Sequence, residues 1–299
     1  MKKSMIALAV AMAIPVTAQA ALFSNTFDDA TTSSAFNVTQ IAGSTDVITF
    51  GFDYSTRNIA EAPSTPVGAA ATRGLFLQAN KPAAGAGSIN GINVTAAVGG
   101  VSINFGGDIL VQFDMYLGVG ALINSTEIGL FGINTDGVGV NSRTGNVQSG
   151  SDGVWYHVAN EGGFGTTAVA ANGRDVVNYI GTSVAGRLDN GQTPFPGLFP
   201  NGPLVGAPGN AWVSVVIAEV GGNIVMTMNG VTVFDVANTG PTSGSVFIGY
   251  QDPFSGSVPT PAANYFGLFD NVVVSVIPEP SALGVVGLAG MALVRRRRA

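Results

Sequence analysis

The residue types that do most enzymatic chemistry are sparse in this chain. There is one histidine, His157, and no cysteine. A nucleophilic triad needs an imidazole base held in reach of its nucleophile. Ser151 and Asp152 stand just ahead of His157, but adjacency in sequence is not triad geometry, and no Gly-x-Ser-x-Gly elbow occurs. A strand histidine satisfied by its neighbours is the plainer reading. One His without Cys also deprives a transition metal of its usual donors. Glycoside hydrolysis needs two carboxylates facing a sugar, about 5 Å or about 6.5–9.5 Å apart. Asp114 and Glu127 come nearest to such a pair, each isolated on its own predicted strand. No Gly-rich run leads into a helix or a lysine, so these runs read as loops and not as phosphate cradles. Sugar binding asks for less: an exposed aromatic face to stack on the ring, with polar partners at its rim. Trp155, Tyr156 and His157 are the candidates. In a strand Trp155 and Tyr156 point to opposite faces, so only one lines a given groove. Phe195 and Phe199 are candidates to cover it, with core packing as the alternative for each aromatic.

These residues need elements to position them, and the sequence predicts strands. No segment sustains a 3.6-residue apolar period; short apolar or alternating runs are separated by Gly, Pro, Asn and Asp. The predicted strands are Val47–Phe52, Gly74–Gln78, Val101–Phe105, Ile109–Leu117, Glu127–Ile133, Val154–Val158, Asp175–Ile180, Trp212–Val220, Asn223–Met228, Val231–Val236, Ser245–Tyr250 and Phe266–Val276. So many in one stretch predict a two-sheet sandwich or a barrel. The sharpest signal is Trp212 to Asp235, where Gly221-Gly222 and Asn229-Gly230 supply two tight hairpin turns and hence a three-stranded meander. Ala79–Gly91 and the Gly/Pro-rich stretch 181–210 read as loops.

Composition removes whole classes. Charged residues are 10% of the 299, against about 25% in an ordinary soluble domain. The absent thiols exclude a disulfide scaffold and Cys-ligated zinc. Few internal cations exclude a basic nucleic-acid surface, and 46% apolar residues exclude a disordered acidic chain. The two ends read as targeting segments. Lys2 and Lys3, an apolar run from Met5 to Val16, and Ala18-Gln19-Ala20 predict a secretory signal over 1–20 that signal peptidase removes. The run is shorter than the ~20 residues that span a bilayer, which disfavours an uncleaved anchor. At the other end Pro278, Glu279 and Pro280 precede a short apolar helix, Ala282 to Val294, and then Arg295, Arg296, Arg297 and Arg298. The arginines favour the cytoplasmic side, leaving the body tethered outside the inner membrane. A plain tail anchor is the bland reading of this segment. Between these ends, residues 21–277 hold six cations and seventeen acids, a net charge of −11. Bulk charge therefore disfavours adhesion to acidic polymers and permits calcium or neutral glycans.

The segment 278–299 resembles the PEP-CTERM sorting domain of Gram-negative bacteria. The resemblance implies recognition by an exosortase, cleavage near Pro278-Glu279-Pro280, and delivery to the cell surface or the exopolysaccharide matrix. The body carries a second, weaker resemblance, to concanavalin A-like jelly rolls of the laminin G type. It rests on Trp212 through the Asn229-Gly230 hairpin, on Gly244 to Tyr250, on Phe269-Asp270-Asn271-Val272, and on the early Phe27-Asp28-Asp29. This resemblance implies an all-β, two-sheet antiparallel sandwich whose first and last strands lie side by side. It also implies a structural calcium, for which Asp28, Asp29, Asp270 and Asn271 are the candidate ligands, since calcium takes oxygen donors; turn acids bonded to local backbone are the alternative. The Glu-x-Asp-x-Glu strand of jelly-roll glucanases is missing. The expectation is therefore an exported surface or matrix protein, structural or glycan-contacting and non-catalytic, with no nucleic-acid partner. The alternative is a secreted carbohydrate-active enzyme on the same scaffold.

Overall fold

The computed structural model describes residues 21–41, 46–66, 72–79, 90–120, 127–144, 147–149, 153–160, 175–180, 185–253 and 262–277. Within them the strands run, in chain order, β1 (Ala21–Asn25), β2 (Phe36–Gln40), β3 (Val47–Asp53), β4 (Arg73–Gln78), β5 (Asn90–Val98), β6 (Val101–Ser102) and β7 (Phe105–Gly106). Then come β8 (Ile109–Gly118), β9 (Ile128–Thr135), β10 (Ser142–Thr144), β11 (Val147–Ser149), β12 (Val154–Ala159), β13 (Asp175–Ile180) and β14 (Ala185–Asp189). A one-turn helix α1 (Phe195–Leu198) precedes β15 (Trp212–Val220), β16 (Asn223–Met228), β17 (Val231–Ala237), β18 (Ser243–Asp252) and β19 (Phe266–Val276).

They form two large antiparallel sheets, with β10 and β11 paired as a separate two-stranded ribbon. Sheet I has the order β17-β16-β15-β8-β19-β4-β3, with β1 added on β19, and sheet II the order β14-β13-β12-β9-β18-β5-β2. The chain passes between sheets repeatedly: β8 lies in sheet I, β9 and β12 to β14 in sheet II, β15 to β17 in sheet I, β18 in sheet II and β19 in sheet I. This is the expected jelly-roll sandwich.

Local sequence explains the clearest part. Gly221-Gly222 and Asn229-Gly230 all have positive φ, as two-residue hairpin turns require. They join β15 to β16 and β16 to β17 in the expected meander. Alternation then sends Val213, Val215 and Ile217 of β15, and Ile224, Met226 and Met228 of β16, into the space between the sheets. From sheet II, Val94, Phe131, Ile133, Tyr156, Val158 and Ile248 meet them. Burying each large apolar side chain contributes about 1.5–3 kcal/mol.

The structure departs from the sequence expectations in several places, and β1, β2, β10 and β11 are strands that the sequence did not predict. β5 was not predicted, because its polar alternates Asn93 and Thr95 are themselves buried and mask the strand signal. Val101–Phe105 is two short strands, β6 on β5 and β7 on β18. Stretch 181–210 is not structureless: it holds β14 and α1, and Phe195 and Phe199 pack into the main core. The expected neighbourhood of first and last strands holds, since β1 pairs with the second half of β19. The segments 1–20 and 278–299 lie outside the described residues. Among the described residues no helix is long and apolar enough to cross a membrane.

Candidate functional site

The outer face of sheet I is crossed by a strap, residues 54–66. It begins as a 3₁₀ turn, Tyr54–Arg57, whose N-cap Asp53 accepts a hydrogen bond from the Ser55 N–H. Asn58 then takes the left-handed conformation, φ 57°, and ends the turn. The strap is fastened at several points. The Trp212 Nε1–H donates to the Ala60 carbonyl at 2.7 Å. The Ala62 N–H donates to the Tyr54 hydroxyl at 3.2 Å, and the Tyr54 hydroxyl donates to Asp270 Oδ2 at 3.1 Å.

One end of the strap covers carboxylates. Asp114 on β8 is fully buried and stands opposite Asp270 on β19. The register slips between Asp270 and Val273, and Asn271 sits at φ 55°. This bulge turns Asp270 and Asn271 together toward the strap. Asp114 accepts from the Ser64 N–H at 2.8 Å, the Ser64 hydroxyl at 3.0 Å, the Ser214 hydroxyl at 2.7 Å and Asn271 Nδ2 at 3.1 Å. Four donors on one carboxylate saturate it. Asp270 accepts from Tyr54 and from the Asn271 N–H, at 2.7 Å for the latter. Burial pushes its carboxyl up to about 8, with the charges of Asp114 and Asp28 acting the same way. Burial first, and then the Asp270 charge, also push the Tyr54 hydroxyl upward. This cluster holds the strap to the sheet.

The other end is aromatic and borders a cleft: Phe52, Tyr116 and Trp212 are half-buried, and Phe76 and Phe266 are buried. Phe52, Phe76, Phe266, Tyr116 and Trp212 form a continuous floor. Phe52 and Phe76 have centroids 4.6 Å apart, Phe76 and Phe266 5.3 Å, Phe266 and Tyr116 6.1 Å, and Tyr116 and Trp212 5.6 Å. The Arg57 guanidinium lies over three of these rings, 4.6 Å from the Phe266 centroid, 5.0 Å from Phe76 and 5.6 Å from Phe52. Its Nη1 donates to the Ala263 carbonyl at 2.7 Å. Beside it opens a cleft of about 280 Å³, lined by Arg57, Ile59, Tyr116, Asn210, Asn264 and Phe266. The Asn210 side chain is pinned at the rim, accepting from the Val119 N–H and donating to the Val119 carbonyl.

The residues singled out from sequence fall elsewhere. β12 is an interior strand of sheet II, between β13 and β9. Tyr156 points into the main core, beside Phe131 and Phe234. Trp155 points to the outer face, among Ile128, Leu130 and Phe247. His157 shares that face, and all three residues are fully buried. None of them offers an open ring to a sugar. His157, Leu130, Gly249 and Asn93 form one cross-strand row in register. In the orientation that suits its neighbours, the Asn93 amide accepts from the Asn141 N–H at 2.8 Å and donates to the Ile92 carbonyl at 3.1 Å. Glu127 is buried at the head of β9 in sheet II, while Asp114 lies in sheet I. The four calcium candidates do not form one ligand set. Asp29 caps the 3₁₀ turn Ala30–Ala35, Asp28 accepts from the Thr26 hydroxyl at 2.6 Å, and Asp270 and Asn271 are committed to the strap cluster. Among the described residues no group of three or more His, Asp or Glu is placed to hold a metal ion.

The aromatic cleft is hidden in the sequence because its lining residues come from four separated segments, around residues 57, 116, 210 and 264. The available signal was the phenylalanines in three predicted strands, Phe52, Phe76 and Phe266, which alternation assigns to faces only once sheet order is known.

No protein-family profile matches the chain, and no curated protein sequence matches it. Solved structures do resemble it in shape. A Bacillus subtilis protein of unknown function with a galectin-like fold is 11% identical with a TM-score of 0.47, covering 86% of this chain and 96% of its own. A β-1,3-glucanase from Mycobacterium marinum is also 11% identical with a TM-score of 0.47, covering 86% of this chain and 100% of its own. The carbohydrate-binding module CBM66 from Bacillus subtilis is 10% identical with a TM-score of 0.38, covering 67% and 86%. Likeness at this level carries no functional argument, because one sandwich supports many activities.

Proposed function

We propose that this protein is an exported surface or matrix component of a Gram-negative-type bacterium that contacts glycan without turning it over. The observation that carries the glycan reading is the cleft beside Arg57. It has the parts a sugar needs: the half-buried Tyr116 ring, backed by Phe266, for the apolar ring face, and amides at Asn210 and Asn264 for hydroxyls. Among the described residues its lining contains no carboxylate. Asp114 and Asp270, the carboxylates on the same sheet face, are buried under the strap and bonded to it. That division of labour supports binding without hydrolysis. The export half of the reading rests on the sequence of 1–20 and on the PEP-CTERM-like segment 278–299, with signal peptidase, an exosortase and the inner membrane as successive partners.

Two measurements test the proposal. Intact mass of surface-released protein is expected to lack residues 1–20 and roughly the last 20; a retained arginine tail refutes the processing. The full-length protein is expected to bind host exopolysaccharide without releasing sugar. Release of sugar by the wild type would establish the carbohydrate-active enzyme instead.

A further inference from the structure

The strap end that forms the cleft carries an unbalanced charge. Arg57 makes no ion pair among the described residues; its partners are three aromatic rings and one carbonyl oxygen. Burial holds its guanidinium below the usual arginine range, with no carboxylate among the described residues offsetting it. Arg73, also beside the strap, is different: its charge acts on both Asp29 and Asp53 and holds their carboxyls down, after the stronger pull of local hydroxyl hydrogen bonds. A guanidinium has five N–H donors in a planar fork, and one carbonyl leaves most of them unused. Such a fork matches a carboxylate in two parallel hydrogen bonds. Of the three rings under Arg57, Phe266 also lines the cleft but is buried, so the ring that a ligand reaching the fork meets is the half-buried Tyr116.

We propose that the cleft takes an acidic sugar, a hexuronate residue whose carboxylate pairs with Arg57 while its ring rests on Tyr116. This rests on the glycan reading above and narrows it. The body's net charge of −11 between residues 21 and 277 narrows it further. A dense polyanion meets repulsion from the whole surface, whereas a single acid on an otherwise neutral glycan meets chiefly the local arginine within a Debye length of about 8 Å. The preferred ligand is therefore a sparsely acidic polysaccharide and not a polyuronate.

The test uses the full-length protein with methyl glucuronide, methyl glucoside, sodium sulfate and polygalacturonate, read by ligand-observed NMR and calorimetry. The glucuronide is expected to bind about tenfold or more tightly than the glucoside, a difference of about 1.4 kcal/mol. Arg57→Gln is expected to erase that preference, and Arg57→Lys to retain part of it. Equal binding of both glycosides, unchanged in Arg57→Gln, overturns the acidic-sugar assignment while leaving glycan contact standing. Failure of both glycosides, with exopolysaccharide also unbound, removes the glycan reading itself. Sulfate displacing the glucuronide at equal concentration marks a bare anion site and overturns the sugar class. Polygalacturonate binding tighter than the glucuronide overturns the sparse-charge preference.

Discussion

The two ends of one strap treat charge in opposite ways. Over β8 and β19, Asp114 has four donors and is closed from solvent. Beside the cleft, Arg57 has one carbonyl and three ring faces, and it remains half-buried at an opening. Both lie against the same sheet face, and both are attached to residues within a single short segment. The contrast separates structural charge from charge held ready for a ligand. Inside a folded protein a saturated ion costs little further to keep, whereas an ion with unused donors retains a demand that a partner can meet.

The largest effect is expected where saturation is complete. Asp114→Ala leaves the Ser64 N–H, the Asn271 amide and the Ser214 hydroxyl facing a void. The expected loss is about 3–5 kcal/mol, measured by urea unfolding. Loss under 1 kcal/mol would show that the strap is not held there. Detachment is read independently by Trp212 fluorescence, since its indole N–H is bonded to the strap at Ala60.

The next effect is in pH. Asp270 titrates near 8 in the folded protein and near 4 when unfolded, so the native state holds a proton that the unfolded chain has lost. Stability from this group is complete below about pH 4 and falls as pH rises toward 8. The slope reaches up to about 1.4 kcal/mol per pH unit. Asp270→Asn is expected to flatten the profile across pH 4–8 and to match or exceed the wild type at pH 8. A variant with the wild-type slope would place the titration elsewhere.

At the other end the same experiment should be nearly silent. Arg57→Gln loses ring contacts worth about 0.5–1 kcal/mol in stability, while its effect on uronate preference is tenfold. If stability falls as far as in Asp114→Ala, the two ends are alike and the comparison fails. The smallest effect belongs to the exposed N-cap Asp29. Asp29→Ala is expected to leave the melting temperature almost unmoved and glycan binding unaltered.

Sequence made the architecture legible and the cleft almost invisible. The meander from Trp212 to Asp235 declares itself through two turn dipeptides and strict alternation, because those are local constraints. β5 hid because its outward residues, Asn93 and Thr95, are polar yet buried. β14 hid inside a stretch whose glycines and prolines read as loop. His157 and Trp155 drew attention by type and rarity, but β12 turned out to be an interior strand, which no local pattern distinguishes from an open one. The cleft depends on strand order in sheet I: Tyr116, Phe266 and Phe76 become neighbours only because β8, β19 and β4 are adjacent. Arg57 had no motif at all, and only the missing carboxylate beside it gives it meaning.

The place of β19 has a consequence for timing. Its first half pairs with β4 and its second half with β1, while its other edge pairs with β8 along nearly its whole length. The last strand to be synthesised is thus the middle of sheet I, and the first strand has no partner until it arrives. Native pairing of such distant segments is slow and cannot begin on an incomplete chain. A nascent body ending before residue 266 stays open and protease-sensitive. Pulse proteolysis of stalled chains ending at residues 260 and 277 reads this directly: only the longer one should survive.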